Sequence, residues 1–312
     1  MRLTENTRLT PIEPWYVDAN DMRQALGPLY DPSIPLPDAR YIELSLIDSY
    51  HEQQLIQMEL ISGRFSESGP HREKSWSDAW TDRLQTFANA GYEVAALDPP
   101  YVSAHAIVRW MGSYIRATSE NFEMRVYEYI RESLFRKFMS DASIVHDVGA
   151  GTCFNSAAYL KLYPKSTVYA YDWAPATEII SDLLRQKHGM NIRGRKFDFY
   201  KPDLCCMEDD VVMTTCAMEQ IGEDWRPFLD NLLTEKPRRV VHLEPIYEKY
   251  EEDRGYDSIA REYHRQRKYL RGYYPELKKL AAEGKIRILC DHRTGIGSRF
   301  HECYTVIVWE LV

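Results

Sequence analysis

The chain has 312 residues, of which 44% are hydrophobic and 28% are charged, a composition typical of a globular protein with one large domain or two ordinary ones. Its formal net charge of -8 argues against non-specific binding to nucleic acid or to an anionic membrane, because both need a basic surface. The chain also has no apolar run near the roughly 18 residues of a membrane span, and no apolar stretch near its start that resembles a secretory signal.

Six cysteines are scattered along the chain: Cys153, Cys205, Cys206, Cys216, Cys290 and Cys303. None forms a CxxC pair, and no paired Cys/His spacing indicates zinc, so we expect no metal site. Scattered thiols in a chain of this size suit a reducing cytosol. We therefore expect a cytoplasmic protein that binds neither nucleic acid nor a membrane, and we leave open whether it forms a homodimer.

Residues 1–118 are predicted to form an N-terminal helical cap domain. Residues 1–40 are rich in proline and should either wrap the surface as an ordered arm or be partly loose. Helical patterns follow at 41–63 and 75–90, and a third helix should end near Ile115. This part of the chain is rich in aromatic residues and shows few strand signals.

The clearest helix is predicted at 119–139, with Ser119 as its N-cap. Its apolar residues recur every four positions and so share one face: Phe122, Val126, Ile130, Leu134 and Phe138. From residue 144 onward the pattern changes to short apolar strands that alternate with helices. Strands are predicted at 144–148, 167–171, 196–199, 210–215 and 239–244, and helices at 154–162, 175–188 and 225–234.

This alternation indicates a parallel sheet with right-handed crossovers. Two further strands, 285–291 and 304–311, are joined only by a loop and should pair antiparallel. Residues 247–284 should form two helices inserted before them, with a break at Gly272. The predicted fold is therefore α/β: a Rossmann-like, mostly parallel seven-stranded sheet with an antiparallel last strand within 119–312, plus the cap and the helical insertion.

A ligand site is predicted where these strands end. Asp147, Gly149 and Gly151 directly follow the first strand, and glycines there let the backbone turn sharply and approach a ligand. Asp172 ends the second strand about 20 residues later, where a carboxylate accepts hydrogen bonds from both ribose hydroxyls. Trp173 is placed to cover an adenine face, although simple packing explains it equally well.

Two later strands add to this site. Asp198 and Phe199 end the third predicted strand, where a carboxylate suits an adenine amino group and an apolar ring covers the base. The fourth strand runs into Thr215, at a junction between apolar and polar residues. Alternatively, Asp172 acts only as a helix cap and Asp198 is a surface carboxylate.

The stretch 144–246 resembles a class I S-adenosylmethionine-dependent methyltransferase. HDVGAGT matches the family's first motif, YAYDWA its second and KFDFYKPD its third, while TTCAMEQIG occupies the place of the fourth. The resemblance implies S-adenosyl-L-methionine as the cofactor, and Tyr114 or Arg116 as its carboxylate contact, because the region before the first motif often lies over the cofactor in this family. The chain departs from the family at Cys153, where a third glycine is common, and at Gln220, where a histidine is common.

Catalytic candidates must lie beyond the strand ends. The cofactor supplies the reactive group in methyl transfer, but an oxygen acceptor also needs a residue that removes its proton. Glu219 and Glu244 follow neighbouring strands, and His264 lies in the insertion. The arginines around His264 suit a lid that grips a phosphate or carboxylate, although a solvated amphipathic helix would carry the same residues.

The predicted function is transfer of a methyl group from S-adenosylmethionine to an oxygen or nitrogen atom of a small-molecule acceptor, because the cap and the insertion together can enclose a pocket. A protein methyltransferase and an inactive, methyltransferase-like binding subunit stay open. A nicotinamide-dependent oxidoreductase fits less well, since Phe154 occupies the third glycine position. DPPY at 98–101 resembles a motif of base-amino methyltransferases, but it precedes the first motif, so we treat it as coincidence.

Overall fold

The structure is a computed structural model that describes residues 13–63 and 65–312. The N-terminal part contains helices α1 (Ala19–Leu26), α2 (Leu46–Ile61) and α3 (Glu73–Asn89) and strands β1 (Trp15–Tyr16), β2 (Arg40–Glu43), β3 (Ile107–Trp110) and β4 (Ser113–Ala117). The long helix α4 (Phe122–Phe138) then leads into the C-terminal part.

The C-terminal part alternates strands and helices. Its strands are β5 (Ile144–Val148), β6 (Thr167–Asp172), β7 (Ile192–Lys196), β8 (Val211–Thr215), β9 (Arg239–Glu244), β10 (Ile286–Arg293), β11 (Ile296–Gly297) and β12 (Thr305–Leu311). Its helices are α5 (Phe154–Leu162), α6 (Pro175–His188), α7 (Arg226–Glu235), α8 (Gly255–Arg267) and α9 (Tyr273–Ala282).

Seven of these strands form one sheet in the order β10-β12-β9-β8-β5-β6-β7. Strands β5 to β9 are parallel, whereas β12 runs antiparallel to both β9 and β10. Successive side chains of a strand point to opposite faces, so Val211 and Val212 belong to different apolar clusters, one on each side of the sheet. The predicted Rossmann-like sheet with its antiparallel last strand is confirmed.

One strand of this sheet lies earlier in the chain than predicted. The sequence pattern placed it at 196–199, but β7 ends at Lys196, and the expected strand residues follow it as a loop. β7 is the edge strand, and only Ile192 in it is buried. An edge strand needs little apolar surface, so its charged sequence gave no strand signal.

The N-terminal part is not purely helical, which corrects the prediction of a helical cap. A second, five-stranded sheet has the order β1-β2-β4-β3-β11. The segment that was expected to be a helix ending near Ile115 is instead a hairpin that turns at Met111 and Gly112, both with positive φ. Both strands bury neighbouring side chains, and the paired residues Val108 and Ile115 are among them. Because β11 comes from the C-terminal part, this sheet spans the predicted boundary at residue 118.

The long helices agree with the prediction except at their first residues. All five apolar residues predicted to share a face of α4 are buried. However, α4 begins at Phe122 after Asn121, and Ser119 accepts a hydrogen bond from the amide of Arg40 instead of capping the helix. The insertion forms α8 and α9, with Gly272 at the break. None of the helices in 13–63 and 65–312 is long and apolar enough to span a membrane.

Candidate active site

The turn after β5 is held by its own backbone. The amides of Gly149 and Ala150 both donate to the carbonyl of Tyr171, at 2.8 and 2.9 Å. Gly149 has a φ of 79°, and a Cβ built on it would lie 2.3 Å from the Cβ of Ala217. Only glycine therefore fits where the turn passes the residues that follow β8.

Asp172 connects this turn to the next helix. Its Oδ2 accepts from the amide of Gly151 at 2.8 Å, and its Oδ1 accepts from the amide of Ala174 at 2.9 Å, beside the start of α6. Burial raises the pKa of Asp172 to about 6. Each carboxylate oxygen retains a second acceptor site, so Asp172 can hold the turn and still bind a ligand hydroxyl.

Asp147 has a different position. It is buried, and its Oδ2 accepts a hydrogen bond of 2.6 Å from the hydroxyl of Ser156 in α5. Burial raises its pKa to about 7. Asp147 lies beneath the turn and does not line the cavity above it, so it anchors α5 to β5.

A cavity, here called the cofactor cleft, opens above the ends of β5, β6 and β8. It is lined by Trp76, Trp80, Pro99, Tyr101, Gly149, Ala150, Gly151, Thr152, Phe154, Asn155, Asp172, Trp173, Phe197, Phe199, Thr215, Cys216, Ala217, Gln220 and Ile221. The predicted contacts Gly149, Gly151, Asp172, Trp173, Phe199 and Thr215 all lie on it. Ligands of open parallel sheets bind at this edge, outside the carboxyl ends of the strands.

Asp198 does not line the cleft. Its Oδ1 accepts from the amide of Tyr200 at 2.9 Å, which closes a local turn. Phe197 and Phe199, on either side of it, line the cleft instead. The adenine contact expected from this carboxylate is therefore replaced by an aromatic wall.

Cys153 stands where a third glycine is common in the resembled family. It adopts a left-handed conformation with a φ of 62°, which favours glycine. Its buried thiol donates a long hydrogen bond to the carbonyl of Thr177, at 3.7 Å. The turn therefore keeps a glycine-like backbone at this position despite the side chain.

Sequence reasoning missed the part of the cleft that comes from the N-terminal half. Trp76 and Trp80 of α3 lie 5.2 Å apart between ring centroids, and Tyr101 packs against both at 6.1 and 6.3 Å. A Cβ on Gly151 would lie 3.0 Å from the Trp80 ring. Pro99 and Tyr101 belong to the DPPY segment, which precedes the first motif, and both line the cleft. The only signal available in the sequence was the spacing of two tryptophans on one helix face.

A second cavity, here called the inner chamber, adjoins the cleft. It is lined by Arg72, Trp76, Tyr101, Val102, Ala104, His105, Glu123, Tyr127, Phe154, Thr215, Cys216, Glu219, Gln220, Tyr263, Arg267, Tyr269, Ser298, Phe300, His301, Cys303 and Tyr304. Six of these residues also line the cofactor cleft: Trp76, Tyr101, Phe154, Thr215, Cys216 and Gln220. The cleft and the chamber are therefore neighbouring cavities, and ligands bound in them would lie next to each other.

Glu219 faces the inner chamber from a short helical turn, Met218–Ile221, that follows β8. Its Oε1 accepts from Nε2 of Gln220 at 2.9 Å, and Oε1 of Gln220 accepts from the indole of Trp76 at 3.2 Å. Burial raises the pKa of Glu219 to about 7, although the charge of Arg267 opposes this rise. A carboxylate with a pKa near neutrality suits proton transfer at physiological pH.

Glu244 lies behind this turn and lines neither cavity. It is fully buried, and its Oε1 accepts from the amides of Ala217 and Met218 at 3.1 and 3.3 Å. Burial raises the pKa of Glu244 to about 8, with a smaller contribution from the charge of Glu219. The structure thus places Glu244 as a support for the turn, away from the predicted acceptor contact.

His264 is also set back from the chamber. It is buried, and its Nε2 lies 3.1 Å from Nδ1 of His301, which does line the chamber. Burial lowers the pKa of His264 to about 3, so it remains neutral. Of the arginines around it, Arg267 lines the chamber, whereas Arg265 is exposed and pairs with Glu262 at 2.9 Å.

Tyr114 and Arg116 lie away from both cavities because their segment is a strand of the small sheet. The hydroxyl of Tyr114 donates to the carbonyl of Arg299 at 3.1 Å and accepts from Arg109 at 3.2 Å. Arg116 is exposed on β4. Neither is placed to hold the carboxylate of a ligand in the cofactor cleft. Across residues 13–63 and 65–312, no three His, Cys, Asp or Glu side chains converge as metal ligands.

Comparisons with known proteins give a structural likeness only. No family model matches the chain, and no curated protein matches its sequence. The 4+2 cyclase SpnF is similar at 11% identity and a TM-score of 0.52, over 79% of this chain and 97% of its own. Magnesium protoporphyrin IX methyltransferase from Synechocystis PCC 6803 is 12% identical, with a TM-score of 0.48, over 74% and 99%. A methyltransferase from Aquifex aeolicus is 17% identical, with a TM-score of 0.42, over 58% and 89%.

Identities this low speak to the fold and not to the activity. The fold is defined by the strand order and the antiparallel β12, and the likeness to SpnF over most of both chains supports it. The chain has the fold of the class I S-adenosylmethionine-dependent methyltransferases.

Proposed function

We propose that the protein binds S-adenosylmethionine in the cofactor cleft and transfers its methyl group to an oxygen or nitrogen atom of a small molecule in the inner chamber. The observation that carries this proposal is that the two cavities adjoin, since six residues line both of them. Methyl transfer needs two ligands in line, and holding them together supplies much of the rate.

The residues of the cleft suit the cofactor. Gly149 and Gly151 line the cleft without a side chain, which allows close approach of a ligand to the backbone. Asp172 has acceptor sites left for the ribose hydroxyls, while Phe199 and Trp173 offer faces to the adenine ring. When bound, S-adenosylmethionine supplies an electrophilic methyl group, so the chain itself needs only to bind, orient and remove a proton.

Glu219 is the residue we assign as the base. It lines the chamber next to the residues that line both cavities, and the hydrogen bonds through Gln220 to Trp76 hold its carboxylate in place. Proton removal by such a positioned group contributes about 10²–10⁴-fold to a rate. Glu244 is a positioning residue, because it acts through the backbone of the turn that carries Glu219.

The fold alone does not decide between methyl transfer and other chemistry, since the similar SpnF is described as a cyclase. The deciding experiment incubates the protein with S-adenosylmethionine labelled in its methyl group and pooled small-molecule extracts. We expect one or more labelled small products. Label found only in the protein fraction would indicate a protein methyltransferase. Cofactor binding without any labelled product would indicate a binding subunit.

We also propose a cytosolic location. All six cysteines are free in the structure, which suits a reducing compartment. Fractionation of the source cells, followed by detection of the chain, tests this proposal.

A further inference from the structure

Two arginines of the inner chamber have no carboxylate partner among the described residues. Arg267 ends α8 and Arg72 precedes α3, and both line the chamber. The Nε of each is buried without a hydrogen-bond partner. By contrast, Arg265 pairs with Glu262 at 2.9 Å and Arg271 pairs with Glu223 at 2.7 Å, both near the surface. The two arginines that line the chamber are therefore not paired with a carboxylate of the described residues.

Aromatic rings hold these guanidinium groups in place. The Arg267 guanidinium lies 4.8 Å from the centroid of the Tyr269 ring, and that of Arg72 lies 5.8 Å from the Trp76 ring. A cation at such a distance is attracted to the face of the ring, and its N–H groups can still bind a carboxylate through two parallel hydrogen bonds. Both arginines are therefore suited to bind a planar anion.

The acids of the chamber make their hydrogen bonds to other groups. Glu219 accepts from the side chain of Gln220, and Glu123 accepts from the hydroxyl of Tyr304 and the amide of Ser103. Burial raises the pKa of both carboxyl groups and lowers the pKa of His105 and His301, the two histidines that line the chamber. Among the described residues, Arg72 and Arg267 therefore remain available to an anion that enters the chamber.

The walls of the chamber are flat and aromatic. Eight Phe, Tyr and Trp side chains line it. Tyr263 and Phe300 stack with their centroids 5.0 Å apart and their planes at 13°. Aromatic rings pack favourably against one another in offset-stacked or edge-to-face arrangements. An aromatic ligand could make such contacts with this wall.

We propose that the acceptor is an aromatic carboxylic acid whose carboxylate binds Arg267 and Arg72 and whose hydroxyl or amino group lies next to Glu219. This proposal rests on the proposed function. The acceptor atom forms a bond to the methyl carbon as the bond between that carbon and sulfur breaks, and its electron pair stays on sulfur. The proton of the acceptor passes to Glu219. The charge balances, because a sulfonium becomes a neutral thioether and a carboxylate becomes a carboxylic acid.

The test measures binding of matched probes to the full chain saturated with S-adenosylhomocysteine. The probes are ten hydroxy- or amino-substituted benzoic and cinnamic acids, each paired with its own carboxamide, followed by ligand-detected NMR. We expect one or more acids to bind at least tenfold more tightly than the matching amide. Wild-type protein that shows no preference for acid over amide in any pair would overturn the proposal.

Variants assign that preference to the arginines. Arg267→Met should remove it and Arg267→Lys should reduce it, because lysine keeps the charge but not the two parallel hydrogen bonds. Arg265→Met is the matched control on the same helix and should keep the full preference. An unchanged preference in Arg267→Met would also overturn the proposal. All variants should still gain thermal stability from S-adenosylhomocysteine, and if the wild type does not, the proposed function fails separately.

Discussion

At the scale of single residues, two glycines that both have a positive φ angle differ in the atoms around them. Gly149 and Gly189 have φ angles of 79° and 65°, so alanine should strain each backbone by about 1–2 kcal/mol. A Cβ on Gly149 would also meet Ala217 at 2.3 Å, whereas nothing lies within 4 Å of one on Gly189.

We therefore expect Gly149→Ala to lower the melting temperature more than Gly189→Ala. We also expect it to abolish the stabilisation by S-adenosylhomocysteine, which Gly189→Ala should retain. Thermal melts with and without the ligand measure both effects. If the two variants behaved alike, the steric role assigned to Gly149 would be wrong.

The position and the pKa of Glu219 predict how turnover depends on pH. A base must be deprotonated to act, and the pKa of Glu219 is raised to about 7 by burial, so turnover should rise with pH through about 7 and then level off. Glu219→Gln should lower turnover by about 10²–10⁴-fold and remove this rise. Its affinity for S-adenosylhomocysteine should stay constant, because Glu219 does not line the cofactor cleft. A glutamine variant with wild-type turnover on a labelled acceptor would exclude Glu219 as the base.

The residues that could be predicted from the sequence are those that follow strands. Gly149, Gly151 and Asp172 lie on the cleft because the ends of parallel strands meet at one edge of a sheet. Trp80 and Tyr101 could not be predicted, since they line the cleft together with a glycine turn that lies more than 45 residues away in the chain. A short-range sequence pattern gives no information about contacts between distant segments. The roles of all these residues in ligand binding stay predictions until binding is measured.

At the scale of elements, the turn after β8 depends on a buried acid in β9. The pKa of Glu244 is raised by burial from 4.5 to about 8. A group whose pKa is higher in the folded state stabilises the fold below its unfolded pKa, and that stability is lost as the pH rises through the folded value. The contribution of Glu244 to the free energy of unfolding should therefore decline as the pH rises from about 4.5 through about 8.

Glu244→Gln isolates this contribution. The amide oxygen can still accept from Ala217 and Met218, and the variant carries no charge at any pH. We expect the difference in melting temperature between the wild type and the variant to change steadily over this pH range, with the variant becoming relatively more stable at high pH, because the other buried acids and histidines affect both proteins equally. Parallel curves for the two proteins would show that Glu244 does not titrate in this window.

Helix α3 should report on ligand binding through its tryptophans. Trp80 lines the cofactor cleft and packs against the position of Gly151. Binding of S-adenosylhomocysteine should therefore change the intrinsic fluorescence. Trp80→Phe should reduce that change, to which Trp76 and Trp173 of the cleft also contribute, and Trp15→Phe, at an exposed position in β1, should leave it intact. A full signal in Trp80→Phe would place the ligand away from α3.

Elements with strong local patterns could be predicted to the residue. The bounds of α5 and α6 agree with the helices expected at 154–162 and 175–188. The hairpin of β3 and β4 could not be predicted, because its partners β2 and β11 are more than 60 and 180 residues away. The edge strand β7 escaped notice because it buries a single apolar residue.

At the scale of the whole molecule, both halves of the chain build the site. Arg72, Trp76 and Tyr101 come from the N-terminal half, and Glu219 and Arg267 come from the C-terminal half. β11 also joins the N-terminal sheet to the segment before β12. The predicted domains at 1–118 and 119–312 therefore do not separate the site, and every test needs the full chain.

Binding of the cofactor is tested most directly by titrating the full chain with S-adenosylhomocysteine and following its thermal denaturation. A ligand that binds only the folded state stabilises it by about 2.7 kcal/mol at a hundred times its Kd. We predict a melting temperature that rises with the logarithm of the S-adenosylhomocysteine concentration, and no rise with NAD⁺ as the control. A melting temperature that stays constant at saturating S-adenosylhomocysteine would contradict the proposal that the cofactor cleft binds S-adenosylmethionine.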